Sequence, residues 1–129
     1  MVQIIPAINA ETWEDVVRKI RIVEPYVDWL HIDVADGTFT PNVLWHNPRD
    51  LIDFETKCNV EIHLMADRPE DRIGSWLQQP VKRVIVHAET VRDLQYLAAQ
   101  CRERGREIGL AADSHTSWTA LAPHAETVD

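Results

Sequence analysis

Positive charge is scarce in this sequence: 13 lysines and arginines stand against 21 aspartates and glutamates, a formal net charge of −8. That balance argues against nucleic acid or an anionic membrane as partner, because both need a positive surface. A small anionic substrate stays open, since backbone N–H groups can hold a phosphate. Cysteine is nearly absent as well. Cys58 and Cys101 lie far apart without metal-type spacing and read as reduced thiols of a cytoplasmic protein. No apolar run approaches the roughly 18 residues that span a bilayer. Residues 1–6 carry neither a basic stretch nor a long apolar one, so no signal peptide is expected. Linkers, low-complexity tracts and further repeats are not evident either. The 129 residues therefore predict one domain, residues 1–129, with one core.

What is there is an alternation of short apolar runs and amphipathic segments. Residues 3–7, 29–34, 60–65, 83–87 and 108–112 read as buried parallel strands. Trp13, Val16, Val17, Ile20 and Val23 fall at helical spacing, with Thr12 and Asp15 as a capping pair and Pro25 as the stop. A short second helix is predicted from Asn47 as cap and Pro48 at the first position, with Leu51, Ile52 and Phe54 inward. A third starts at Pro69 and carries Ile73, Trp76 and Leu77. A fourth runs over residues 91–104, buries Leu94, Leu97 and Ala98, and ends at Gly105. A fifth begins near Thr116 with Trp118 and Leu121 inside, followed by Pro123. Strands about 25 residues apart imply βα units joined by right-handed crossovers into a parallel sheet. Five such units fit a doubly wound sheet or part of a (β/α)8 barrel, which takes about 200 residues or more. Val128 and Asp129 are placed to open a sixth strand.

Chemistry concentrates at strand ends. His31 and Asp33, two apart near the end of the second predicted strand, project to one face. His63 occupies a similar height on the next strand. Two imidazoles and a carboxylate on adjacent strands suit one divalent metal ion such as Zn, Mn, Fe or Co. The same residues also suit turn capping, because strand ends attract turn-forming Asp; spacing alone leaves both readings open. Asp36-Gly37 reads as a turn pair. His87, ending the fourth strand, fits either a pocket or a structural role, whereas His46, His115 and His124 read as solvent-facing. Trp13, Trp76 and Trp118 read as packing residues; Trp29 and Trp45 have no clear assignment.

Four segments in this order resemble the ribulose-phosphate 3-epimerase family: residues 4–8 (IIPAI), residues 28–37 (DWLHIDVADG) with Phe39, Pro41 and Asn42 after them, residues 61–65 (EIHLM), and residues 86–89 (VHAE). The resemblance covers essentially the whole chain, and its second segment is long and specific. It implies an α/β fold of the (β/α)8 TIM-barrel family, here a partial barrel of about five βα units. It implies an isomerase of carbohydrate metabolism that inverts C3 of a ketopentose phosphate through an enediolate, D-ribulose 5-phosphate to D-xylulose 5-phosphate. It assigns His31, Asp33 and His63 to the metal, makes Asp33 one of two proton carriers, and leaves the second to a seventh-strand aspartate. Ala7, Met65 and His87 would lie near the sugar-phosphate substrate.

Departures accompany the matches. The family usually has Ser where Ala7 stands, Met where Ala35 stands and Gly where His46 stands, and after the fifth strand Asp113-Ser114-His115-Thr116-Ser117 replaces its Asn-Pro-x-Thr-Pro. These changes spare the metal ligands and leave the substrate open between a ketopentose and a six-carbon ketose phosphate. The sugar-phosphate barrels that use a strand-end Asp-x-Lys-x-x-Asp array fit poorly, because Lys19, Lys57 and Lys82 all lie away from strand ends. With the seventh-strand aspartate and the Gly-rich phosphate loops outside these residues, the 129-residue chain alone is expected to be inactive. A non-catalytic form that binds metal or sugar phosphate is the alternative, and its open sheet edges leave room for a homo-oligomer.

Overall fold

The computed structural model describes residues 2–129. Five strands, β1 (Ala7–Ile8), β2 (Trp29–Ala35), β3 (Asn59–Met65), β4 (Val81–His87) and β5 (Glu107–Ala111), form one sheet in chain order. Every pairing is parallel. Strands that follow one another in space as in sequence, each returned by a crossover, build a partial (β/α)8 barrel.

Alternation along the strands explains the layering. In β2, Leu30, Ile32 and Val34 are buried while His31 and Asp33 are half-buried on the opposite face. Val60, Ile62 and Leu64 on β3, Val84 and Val86 on β4, and Ile108 on β5 extend the apolar layer. Against it pack Val16 and Ile20 of α1 (Trp13–Val23) and Leu94, Leu97, Ala98 and Cys101 of α2 (Leu94–Glu103). Each such fully buried aliphatic side chain contributes about 1.5–3 kcal/mol, so this one layer carries most of the fold's driving force. Both cysteines are free and buried.

The α1 helix forms where the spacing puts it, with the Thr12 side chain accepting from the Asp15 backbone N–H. The α2 helix starts later than residue 91. Asp93 caps it by accepting from Tyr96 N–H, while the Glu70 carboxylate takes the N–H groups of Arg92 and Asp93 and holds that segment outside the helix. Gly105, at φ +65°, terminates it.

Three of the expected helices are short 3₁₀ turns instead. The second is Pro48–Leu51, stopped by Asp53 in the left-handed region at φ 63°. The third is broken into Pro69–Asp71 and Ile73–Ser75, and the fifth into Trp118–Ala120 and Ala122–His124. Segments this short cannot repay helix nucleation, and each carries a proline at or near its start or an interruption that ends propagation. Burial follows: Leu51, Ile73, Trp76 and Leu77 are buried as expected, but Ile52 is 60% and Trp118 is 74% exposed. Leu121 and His124 are half-buried. The first strand shrinks to two residues because Pro6 has no N–H to donate; its carbonyl still accepts from His31 N–H at 3.0 Å. At the other edge, Asp129 N–H donates to the Ile108 carbonyl at 2.9 Å, but residues 128 and 129 form no strand.

No helix is long and apolar enough to cross a membrane among the described residues. Trp45 is 4% exposed and packs between Trp13 and Trp76, with ring centroids 4.8 and 5.6 Å away. Its indole N–H donates to Asp50 at 2.8 Å.

Candidate functional site

The face opposite the helices carries the polar layer. Parallel register sets His31 beside Ala7 and Glu61, Asp33 beside His63, and Ala35 beside Met65. Side chains at these positions share one face because strand periodicity is two. The backbone thus brings His31, Asp33 and His63 to one place from two strands. Their nearest ligand atoms lie within 4.8 Å of one another. His31 Nε2 stands 3.0 Å and His63 Nδ1 2.8 Å from the same oxygen, Asp33 Oδ1.

Each member has further partners. His31 Nδ1 meets Glu61 Oε1 at 2.7 Å. His63 Nε2 meets His87 Nε2 at 2.7 Å, and the two rings stack with centroids 4.9 Å apart. His87 Nδ1 reaches Glu89 at 3.3 Å, and Phe39 covers the His87 ring at 4.7 Å. The Asn9 amide donates to the second Asp33 oxygen. Farther down the same face, Arg83 links Glu61 at 2.8 Å to Glu107 at 2.6 Å.

Electrostatics follow from these contacts. Hydrogen bonds to Asp33 and Glu61 outweigh burial and raise the His31 imidazole to about 9. Burial opposes ionisation of Asp33, but hydrogen bonds and charge from His31 and His63 hold its carboxyl well below the usual carboxylate range. The bond to His31, against burial and with help from Arg83, lowers Glu61. Burial and then the charge on His63 push His87 down.

Two imidazole nitrogens and one carboxylate oxygen make a donor set suited to a borderline divalent cation. With Nδ1 of His31 bonded to a carboxylate, Nε2 is left as the ligand atom, the usual arrangement of a metal-binding histidine. The residues present therefore fit such an ion.

The other candidate residues spread around this cluster. His87 touches His63 directly and is buried. Met65 lies half-buried at the end of β3 on the same face as His63, and Ala7 is exposed beside His31. Asp36 is a turn residue: it accepts from Thr38 N–H at 3.0 Å and pairs with Arg72 at 2.6 Å, while Gly37 takes φ +82° against Val43. His46 and His115 are exposed, and Trp29 lies under the Arg83 guanidinium at 4.6 Å. Asn9, Glu61, Arg83 and Glu89 were not singled out from sequence. Alternation carried a signal for two of them, since Glu61 stands two before His63, and Asn9 two after Ala7.

Comparison with known proteins bears on the whole chain. A family model described as the ribulose-phosphate 3 epimerase family matches residues 3–129. The chain is 34% identical over 92 residues to the ribulose-phosphate 3-epimerase of Chlamydia pneumoniae, covering 70% of this chain and 40% of that one. It is 30% identical over 102 residues to that of Treponema pallidum, covering 78% and 47%. It is 27% identical over 128 residues to the chloroplastic ribulose-5-phosphate-3-epimerase of Arabidopsis thaliana, covering 96% and 46%. The chain thus spans about half the length of these relatives.

Proposed function

The chain belongs to the ribulose-phosphate 3-epimerase family, and from that premise we propose that its strand-end cluster serves metal-assisted epimerisation at C3 of a ketopentose phosphate. The observation that carries this reading is the convergence of His31 Nε2 and His63 Nδ1 on Asp33 Oδ1. His31, Asp33 and His63 would hold one divalent ion. When bound, that ion supplies electrophilic stabilisation of the oxygen charge that develops as the C3 proton leaves.

The protein residues divide the remaining work. Asp33 is ionised, the state that takes up a proton, and it presents its carboxylate from the open face of the sheet. Asn9 holds one carboxylate oxygen and so limits rotation of the group. His87 packs against the far side of His63, and Phe39 covers the His87 ring in turn. Ala7 and Met65 flank the cluster at its two ends and would border the sugar. Inversion needs a second proton carrier on the opposite face of the substrate plane. By family resemblance that group is a seventh-strand aspartate, outside the five strands described, so residues 1–129 alone should not turn over substrate.

Equilibrium dialysis of the 129-residue chain against Zn, Mn, Fe(II) or Co(II) tests the site. One equivalent should bind, and His31→Ala, Asp33→Ala and His63→Ala should each abolish it. No binding by the wild-type chain at millimolar metal would refute the assignment. Conversion of D-ribulose 5-phosphate at ordinary enzyme rates by this chain would overturn the placement of the second proton carrier.

A further inference from the structure

Beneath the three converging donors lies a second polar row that the reaction does not call for. Glu61 is 6% exposed, yet it is a carboxylate in the sheet interior. An ionised group there is costly unless every lone pair is engaged. Both its oxygens are engaged, by different partners. Oε1 faces His31 Nδ1 at 2.7 Å, and Oε2 accepts from Arg83 Nη1 at 2.8 Å. Arg83 is itself fixed on two further sides. Its Nη2 and Nε reach Glu107 Oε2 at 2.6 and 2.8 Å, and its guanidinium lies over the Trp29 ring. The row crosses four strands in register, His31 beside Glu61, Glu61 beside Arg83, Arg83 beside Glu107.

A carboxylate can only accept, so His31 Nδ1 must carry hydrogen and donate to it. That fixes which nitrogen faces Asp33 and stops the ring from turning about its χ2 axis. We propose that Glu61, braced by Arg83, is a positioning residue that presents His31 Nε2 to the bound cation and strengthens it as a ligand. This rests on the reading of His31 as a metal ligand. Loss of such an outer partner typically weakens metal binding about 10- to 100-fold.

The test uses the 129-residue chain with Glu61→Ala and Glu61→Gln. Calorimetric titration with Zn(II) gives the metal affinity. The low-field proton resonance of His31 Nδ1–H, identified by its loss in His31→Ala, reports the contact with or without metal. Glu61→Ala should weaken Zn(II) binding about 10- to 100-fold and lose the resonance. Glu61→Gln, which can still accept the hydrogen bond, should restore the resonance but recover the affinity only in part. A folded Glu61→Ala protein that binds Zn(II) within about twofold of wild type, judged against that same expectation, overturns the proposal. Should Glu61→Ala not fold, Glu61→Gln decides: unaltered affinity overturns the proposal, and weaker binding with the resonance retained supports it. A wild-type chain that binds no metal sinks the functional reading instead; the resonance then reports alone whether Glu61 orients the ring, and its persistence in Glu61→Ala counts against the proposal.

Discussion

Raising the pH from 6.5 to 9 should move metal affinity and metal-free stability in opposite directions, and His31 is the reason. In the metal-free protein its imidazole is raised to about 9 by Asp33 and Glu61, against an ordinary value near 6.5. A proton held more tightly in the folded than in the unfolded chain stabilises the fold. That contribution is fully present below about pH 6.5 and is lost as pH rises through about 9. A cation at Nε2 must displace the same proton, so its apparent affinity rises with pH. Asp33 is already ionised throughout this range and adds nothing to the slope. Displacing one proton changes the apparent affinity about tenfold per pH unit, so His31 alone supplies roughly a 100-fold gain from pH 6.5 to 8.5. Titration calorimetry with Zn(II) in buffers of different ionisation enthalpy measures both the affinity and the protons released. Urea unfolding of the metal-free chain across the same range measures the stability. A flat affinity with no buffer-dependent heat, or a metal-free stability that climbs towards pH 9, would refute the reasoning.

Two further outcomes are expected. Saturating metal at about 100 times its dissociation constant should add about 2.7 kcal/mol of stability, read as a higher midpoint in thermal melts and reversed by EDTA; coincident melts with and without metal contradict a folded-state site. Ile62→Ala, at a position with no exposure in the middle of β3, should cost about 2–5 kcal/mol in urea unfolding, and a loss below 1 kcal/mol, well under that range, would show that the layer beneath the site is not the core.

Strands β2 to β5 were legible in advance because one of their faces is buried under helices, which forces apolar residues at every second position. Leu30, Ile32 and Val34 show this, and they leave His31 and Asp33 on the other face without further information. The α1 helix was equally legible, since its cap and its apolar stripe agree. Segments around Pro48, Pro69 and Trp118 were not, because their apolar residues meet neighbours through tight turns whose path depends on what they pack against. Trp118 has the spacing of a core residue and is nevertheless exposed. Glu61 and Arg83 had no role assigned from sequence, and their pairing across adjacent strands depends on a register shift between Val60 and Glu61.

The order of residues along the chain thus determined the strand faces, the first helix and the identities of three strong ligand types. Local periodicity and side-chain chemistry suffice for that. Only the tertiary structure decided that Asp33 stands between His31 and His63, and that a braced carboxylate lies behind one of those rings. Both depend on the sideways alignment of strands, which hydrogen bonds between distant residues set and which no short stretch of chain encodes.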